Sequence, residues 1–323
     1  MTLKSKSLLR LLALVLLAGA AGCTATPQQK AFKSPEAAVD SLVDALRRHD
    51  RDRLKQVVGD AGVDLLGSGD KVADESDLSR FLSFYDEKHS LQGEANGATT
   101  LLVGTDDWPF PVPIVKAKGG FVFDVEAGKD EILNRRVGRN ELSAQQVCLA
   151  IADAQREYVR LRPMGGDLPE YARKIVSDPG TKNGLYWPTG EGEEPSPLGE
   201  LAAAAAEHGY GKSDRSDELQ PRPYYGYRYR LLTRQGPHAP GGAIDYVVNG
   251  KLVGGFAVVA YPAKYGNSGI MTFITNHDGV VYQRDLGPET QHVAEGMTAF
   301  DPGPDWTKAA DGSRTEIEAA PGG

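Results

Sequence analysis

Cysteine is nearly absent from this 323-residue chain: Cys23 and Cys148 are all it has. Cys23 stands at the end of an apolar leader, so there is no internal disulfide framework and stability must come from packing. An excess of positive charge is also missing. The formal net charge is −8, with 36 basic against 44 acidic residues, which argues against a surface that tracks nucleic-acid phosphates. The almost wholly aliphatic stretch over residues 8–17, broken by Arg10, falls short of the roughly 20 residues that span a bilayer. No glycine-rich loop has phosphate-binding spacing. The six histidines, His49, His89, His208, His238, His277 and His292, never fall at metal-ligand spacing such as HxxxH. Gly266-Asn267-Ser268-Gly269 is not a GxSxG nucleophile elbow, because the spacing is wrong and a strand follows instead of a helix. These absences leave no cofactor, metal or catalytic residue to name, and the expectation is a non-enzymatic protein.

What is present begins with an address. Lys4, Lys6 and Arg10 give a positive leader, and the small residues Ala18, Gly19, Ala20, Ala21 and Gly22 follow the aliphatic stretch and lead to Cys23. A basic end, a short apolar core and a small-residue cleavage region define an export signal over residues 1–22. Ala20-Ala21-Gly22-Cys23 resembles a lipobox, in which the cysteine thiol is diacylated before cleavage. Position 20 is Ala where Leu is commoner. More than one acyl chain gives durable anchoring at about 0.8 kcal/mol per buried methylene. The mature chain is therefore expected in the cell envelope, held to a bacterial membrane through Cys23. Thr24 follows, and a residue other than Asp there resembles lipoproteins of the outer membrane, on the periplasmic face, where a host has two membranes.

Beyond a tether over residues 23–31, the pattern implies an α+β chain with two units. The first, residues 32–127, opens at Ser34-Pro35-Glu36, an N-cap, a first-turn proline and a first-turn acid. Val39, Leu42, Val43 and Leu46 recur at helical spacing. Asp50 caps a second helix carrying Leu54, Val57 and Val58, and a third runs over residues 75–88 with Leu78, Phe81, Leu82 and Tyr85 on one side. Strands follow near 99–103, 112–116 and 121–125. The second unit, residues 128–306, starts with a long helix whose stripe holds Ala144, Val147, Cys148, Ile151, Ala154, Tyr158 and Leu161. Gly138 is expected to kink it and Asn140 to cap its second segment. A loop-rich stretch holds one helix over residues 198–208, and a sheet follows with strands near 224–232, 244–248, 251–253, 256–261, 270–275 and 280–285. Asn249-Gly250 is a hairpin signal, a short helix is expected near 289–297, and residues 307–323 form a tail with a disordered composition.

Three places invite a chemical reading. Asp106-Asp107-Trp108-Pro109-Phe110-Pro111 joins acids and aromatics, but two adjacent acids do not make a calcium loop, whose ligands alternate over about 12 residues. Trp108 and Trp187 are the candidate ligand-binding residues, since both rings can stack on a sugar, the alternative being that both are core residues. Cys148 sits mid-stripe, where a buried thiol behaves as a small apolar group.

Several long segments carry a resemblance: 104–111 (GTDDWPFP), 131–142 (EILNRRVGRNEL), 153–158 (DAQREY), 184–188 (GLYWP), Tyr225-Gly226-Tyr227, and 271–287. Together they resemble a family of exported bacterial proteins known only as a domain of unknown function, number twenty-nine-fifty, over residues 32–306. The resemblance implies no activity and no catalytic residues. A fainter likeness is to type IV pilins and pseudopilins, on Asn140-Glu141, Ala154-Gln155, Tyr158, Tyr171-Ala172 and Gly226-Tyr227. It implies a long helix packed on an antiparallel sheet, here without the apolar helix start that pilins polymerise through. The expected role is a lipid-anchored interaction or assembly module with an envelope protein partner. The alternative is a binder of envelope glycans or small molecules, or a hydrolase, using a cleft near Trp108 and Trp187.

Overall fold

The computed structural model describes residues 29–165, 168–190, 192–207, 210 and 223–310. The expected export signal, Cys23, most of the expected tether, His208 and the last 13 residues lie outside them. Among the described residues no helix is long and apolar enough to cross a membrane.

The chain is a mixed α+β protein. Three helices come first: α1 (Pro35–Arg47), α2 (Arg51–Leu66) and α3 (Lys71–Glu87). Each is capped by a side chain accepting backbone N–H groups of the first turn, Ser34 from Ala37, Asp50 from Arg53, and Asp70 from Val72 and Ala73. That explains why the helices begin where they do. A five-stranded antiparallel sheet follows, with β1 (His89–Gly93), β2 (Thr99–Val103), β3 (Trp108–Pro109), β4 (Ile114–Ala117) and β5 (Gly120–Phe123) in the order β1-β2-β4-β5, β3 pairing with β2. One face of α1 and the inner residues of α2 close on this sheet. Leu42, Val57, Leu101, Ile114 and Phe123 are at its centre.

The long helix α4 (Val125–Leu161) runs 37 residues, roughly 55 Å at 1.5 Å per residue. Gly138 does not kink it and Asn140 does not cap a second segment. Gly138 is exposed, while the helical residues on either side of it are fixed by packing, so the break has nothing to relieve. Ile132 and Leu133 near its start pack into the first core, and Ala144 to Tyr158 pack into a second. One helix is thus the spine of both units.

After α4 come the parallel pair β6 (Lys174–Val176) and β7 (Gly184–Tyr186), then α5 (Gly199–Glu207). The main sheet is built from β8 (Tyr227–Leu232), β13 (Ala257–Pro262), β14 (Met271–Asn276), β15 (Tyr282–Asp285) and β16 (Thr307–Lys308), all antiparallel in the order β16-β15-β14-β13-β8. Between β8 and β13 lie the short pairs β9 (Arg234–Gln235) with β10 (Ile244–Asp245), and β11 (Val247–Val248) with β12 (Lys251–Leu252). Asn249 and Gly250 join the second pair with positive φ of 51° and 77°, as a two-residue hairpin of matching twist requires. The short helix α6 (Thr290–Gly296) lies between β15 and β16.

Central strand β13 is buried at every position. Its alternation is legible in three dimensions: Val258 and Ala260 face α4, while Ala257, Val259 and Tyr261 face a third core with Phe256, Tyr246 and Phe300. A strand covered on both sides reads as an unbroken apolar run.

Candidate functional site

The three N-terminal helices do not close on one another completely. Helix α2 carries a break at Gly59, whose φ of 77° and ψ of 170° only glycine adopts without strain. Helix α3 was expected to bury Leu78, Phe81, Leu82 and Tyr85. Of these only Tyr85 is buried, and the other three are half-exposed. Leu78 and Phe81 border a cavity of about 580 Å³ lying among α1, α2, α3, the β2–β3 edge and the start of α4. Leu42, Val58, Val63, Leu78, Phe81 and Trp108 form much of the wall. Both the volume and the apolar lining fall within the range of small-molecule sites, about 300–1,000 Å³.

Trp108 is half-buried, with the Arg135 guanidinium 5.0 Å from its ring centroid. Phe110, one strand end further, stacks at a tilt on Phe81 with centroids 5.4 Å apart. Asp106 and Asp107 are exposed, and Asp107 pairs with Lys88 at 2.7 Å. Trp187 is elsewhere. It is buried in the second core, edge-on to Tyr158 at 6.4 Å, and takes no part in the cavity wall. The structure therefore separates Trp108 and Trp187 instead of joining them in one cleft. Position 187 is drawn to the Tyr158 face of α4, position 108 to the helices on the other side of the spine.

Arg136 and Asp74 are charged members of the cavity wall, and Arg136 links it to the C-terminal unit. Arg136 on α4 is buried, and donates from one terminal nitrogen to the Leu65 carbonyl at 2.9 Å and from the other to Asn267 Oδ1 at 2.8 Å. Burial lowers the pKa of its guanidinium, while the negative charges of Asp74 and Asp77 oppose that shift. Asp74, also bordering the cavity, accepts from the Ser68 N–H, and its desolvation raises its carboxyl above the ordinary value. Asp70, 2 % exposed, accepts from Tyr210 Oη at 2.8 Å and from the Gly226 N–H at 3.0 Å. Asn140 Nδ2 donates to the Ser268 carbonyl, and Glu141 Oε1 accepts from the N–H groups of Ile270 and Met271. Asp70, and Arg136 with Asn267, thus tie the corner between α2 and α3 to the C-terminal unit, while Asn140 and Glu141 tie α4 to the chain entering β14.

The remaining sequence candidates are structural. The Cys148 thiol is fully buried and its pKa is pushed up to about 12 by desolvation. Ser268 Oγ accepts from the Lys264 N–H in a tight loop. His89 stacks on Tyr85 at 3.9 Å, and His238 pairs with Asp301 at 3.0 Å. Among the described residues no group of three or more His, Cys, Asp or Glu side chains is arranged to hold a metal ion. What sequence reasoning missed was the cavity. Its one visible sign was a third helix with more apolar residues than its neighbours could cover.

The family model described as "Protein of unknown function (DUF2950)" matches residues 29–309. No curated protein and no solved structure matches the chain.

Proposed function

Because the chain belongs to that family of proteins of unknown function, we propose from its own geometry that it is a lipid-anchored envelope protein that binds a small apolar molecule among α1, α2 and α3. The observation that carries this reading is the cavity of about 580 Å³ with Trp108 in its wall. An apolar helix face left half-exposed costs roughly 25 cal/mol for each Å² not removed from water. A ligand that covers it recovers that free energy. This reading develops the small-molecule alternative drawn from the sequence in place of the protein-partner module preferred there, and the glycan form of that alternative is the weaker one, since the wall is apolar where a sugar needs converging polar groups.

The envelope part of the reading is supported by the leader and the lipobox-like run ending at Cys23. An apolar ligand suits that place, because an anchored protein works beside a reservoir of lipid.

The test is uptake of the neutral dye Nile red by the mature chain. Saturable fluorescence enhancement is expected, and it is lost when the cavity is filled by Leu78→Trp with the melting temperature retained. No enhancement in the wild-type chain would contradict the reading.

A further inference from the structure

The two five-stranded sheets have four outer strands, and three of them are closed or curtailed. β5 is closed by Phe32, which exchanges N–H and carbonyl hydrogen bonds with Phe121, both at 2.8 Å. β16 has two residues, and β8 has β6 against it and carries Arg228 and Arg230. β1 (His89–Gly93) is different. It is exposed at every position but the half-buried Leu91. It holds no proline and no Lys, Arg, Asp or Glu, and among the described residues no strand pairs with its outer side. Proline, charge and cover are the devices that ordinarily keep a sheet edge from adding a further strand.

The ladder fixes which groups this edge offers. At one end of β1 the Lys88 carbonyl accepts from the Gly104 N–H, and at the other the Glu94 N–H donates to the Ala98 carbonyl, both at 2.8 Å. Both bonds continue the β1–β2 register. Bonded residues alternate along an antiparallel strand, so Ser90 and Gln92 also face β2. The N–H and carbonyl groups of His89, Leu91 and Gly93 face outward.

That edge is complementary to itself. Turned about a two-fold axis at Leu91, β1 meets a second β1 with Leu91 opposite Leu91 and His89 opposite Gly93, each pair exchanging two hydrogen bonds. The pairs between them, where side chains come closest, are Ser90 with Gln92 and Lys88 with Glu94. Opposite charges therefore meet at both ends of the strand. Lys88 already holds Asp107 at 2.7 Å, and Glu94 accepts from Asn96 at 3.2 Å. An ammonium has three donors and a carboxylate about four acceptor sites, so both keep capacity for another partner. Moving the axis to Ser90 or Gln92 loses one bonded pair and sets Lys88 against Gln92 or Glu94 against Ser90.

We propose that β1 is the docking edge for a second copy of this chain, whose own β1 pairs antiparallel about Leu91 and joins the two N-terminal sheets into one. An interface of one strand pair is small, so the dimer is weak and forms as concentration rises.

The full chain, in a nonionic detergent that covers any apolar leader or anchor, is followed by sedimentation and amide-resolved hydrogen exchange over a wide concentration series. A monomer–dimer equilibrium is expected. With rising concentration the amides of His89, Leu91 and Gly93 should gain at least tenfold protection, while those of Ser90 and Gln92, already bonded to β2, change little. Lys88→Glu should weaken the dimer at least tenfold, and Glu94→Lys added to it should restore the affinity, with melting temperatures confirming that both variants are folded. A chain that stays monomeric, or a dimer that leaves the three outward amides unchanged, would overturn the proposal. So would a Lys88→Glu dimer as tight as the wild type, or a folded double variant no tighter than Lys88→Glu.

Discussion

Asp70 Oδ2 accepts a hydrogen bond from the backbone N–H of Gly226 at 3.0 Å, across 156 residues of sequence. Its other oxygen caps α3 through Val72 and Ala73. One buried carboxylate therefore holds the first turn of a cavity-lining helix and the start of the C-terminal sheet at the same time. Gly226 has φ +72°, and a Cβ there would come within 2.5 Å of Asn140 Nδ2. Gly226→Ala is expected to destabilise the fold by about 1–3 kcal/mol through left-handed strain and displaced Asn140. Urea midpoints read this, and an unchanged midpoint would show that the junction gives way freely.

Arg136 offers a second test of the same seam. Arg136→Met keeps the stem but leaves the Leu65 carbonyl and Asn267 Oδ1 without their donor. Loss of donors to buried acceptors costs about 1–3 kcal/mol per group, so a clear drop in stability is expected. The change should also alter hydrogen exchange on both sides of the seam, in α2 and in the loop at 264–270, because one guanidinium serves both. Protection lost on one side alone would contradict that coupling.

The Cys148 thiol should be inert. It is fully buried and its pKa is pushed up to about 12, so essentially no thiolate exists at neutral pH. Ellman's reagent is expected to leave the folded chain's Cys148 unmodified for hours and to react with it at once in 6 M guanidinium. Prompt reaction under native conditions would place the thiol outside the core.

Acid titration should expose Asp74. Burial holds its carboxyl above the ordinary 3.8, against hydrogen bonds from Ser68 and the charge of Arg136. A carboxyl that binds its proton more tightly when folded favours folding below 3.8, and that contribution is lost as the pH rises through the raised value. Asp74→Asn removes the titration while keeping an acceptor for the Ser68 N–H. The variant should therefore gain stability relative to wild type as the pH climbs from 3.8 through that window, then stay level. Parallel curves across the window would count against a desolvated Asp74.

Much of the architecture was written in local chemistry. Ser34 and Asp50 mark helix starts, Asn249-Gly250 marks a hairpin, and residues 99–103 form a half-buried strand as expected; all of these stand in the structure. The strands β1 and β3 escaped notice because His89-Ser90-Leu91-Gln92-Gly93 has little apolar content and Trp108-Pro109 is only two residues long. Both exist through pairing with β2, a partner that periodicity cannot reveal. Gly138 misled because an isolated helix would bend there, whereas α4 is held by a core at each end. The candidate site was half legible. Trp108 was picked out by its aromatic and acidic neighbours, but the space beside it depends on how three helices fail to close, and that is a property of packing alone. The buried seam of Asp70, Arg136 and Asn140 was equally hidden, since its partners lie between 71 and 156 residues away.

The most direct measurement of the central claim uses Trp108 itself. The protein is titrated with a dodecanoate brominated on its hydrocarbon, and tryptophan emission is followed. Trp187 and Trp306 take no part in the cavity wall, so the account predicts saturable quenching of part of the emission at one ligand per chain, absent in Trp108→Phe. Quenching that persists unchanged in Trp108→Phe, or no quenching at all, would contradict an apolar site among α1, α2 and α3.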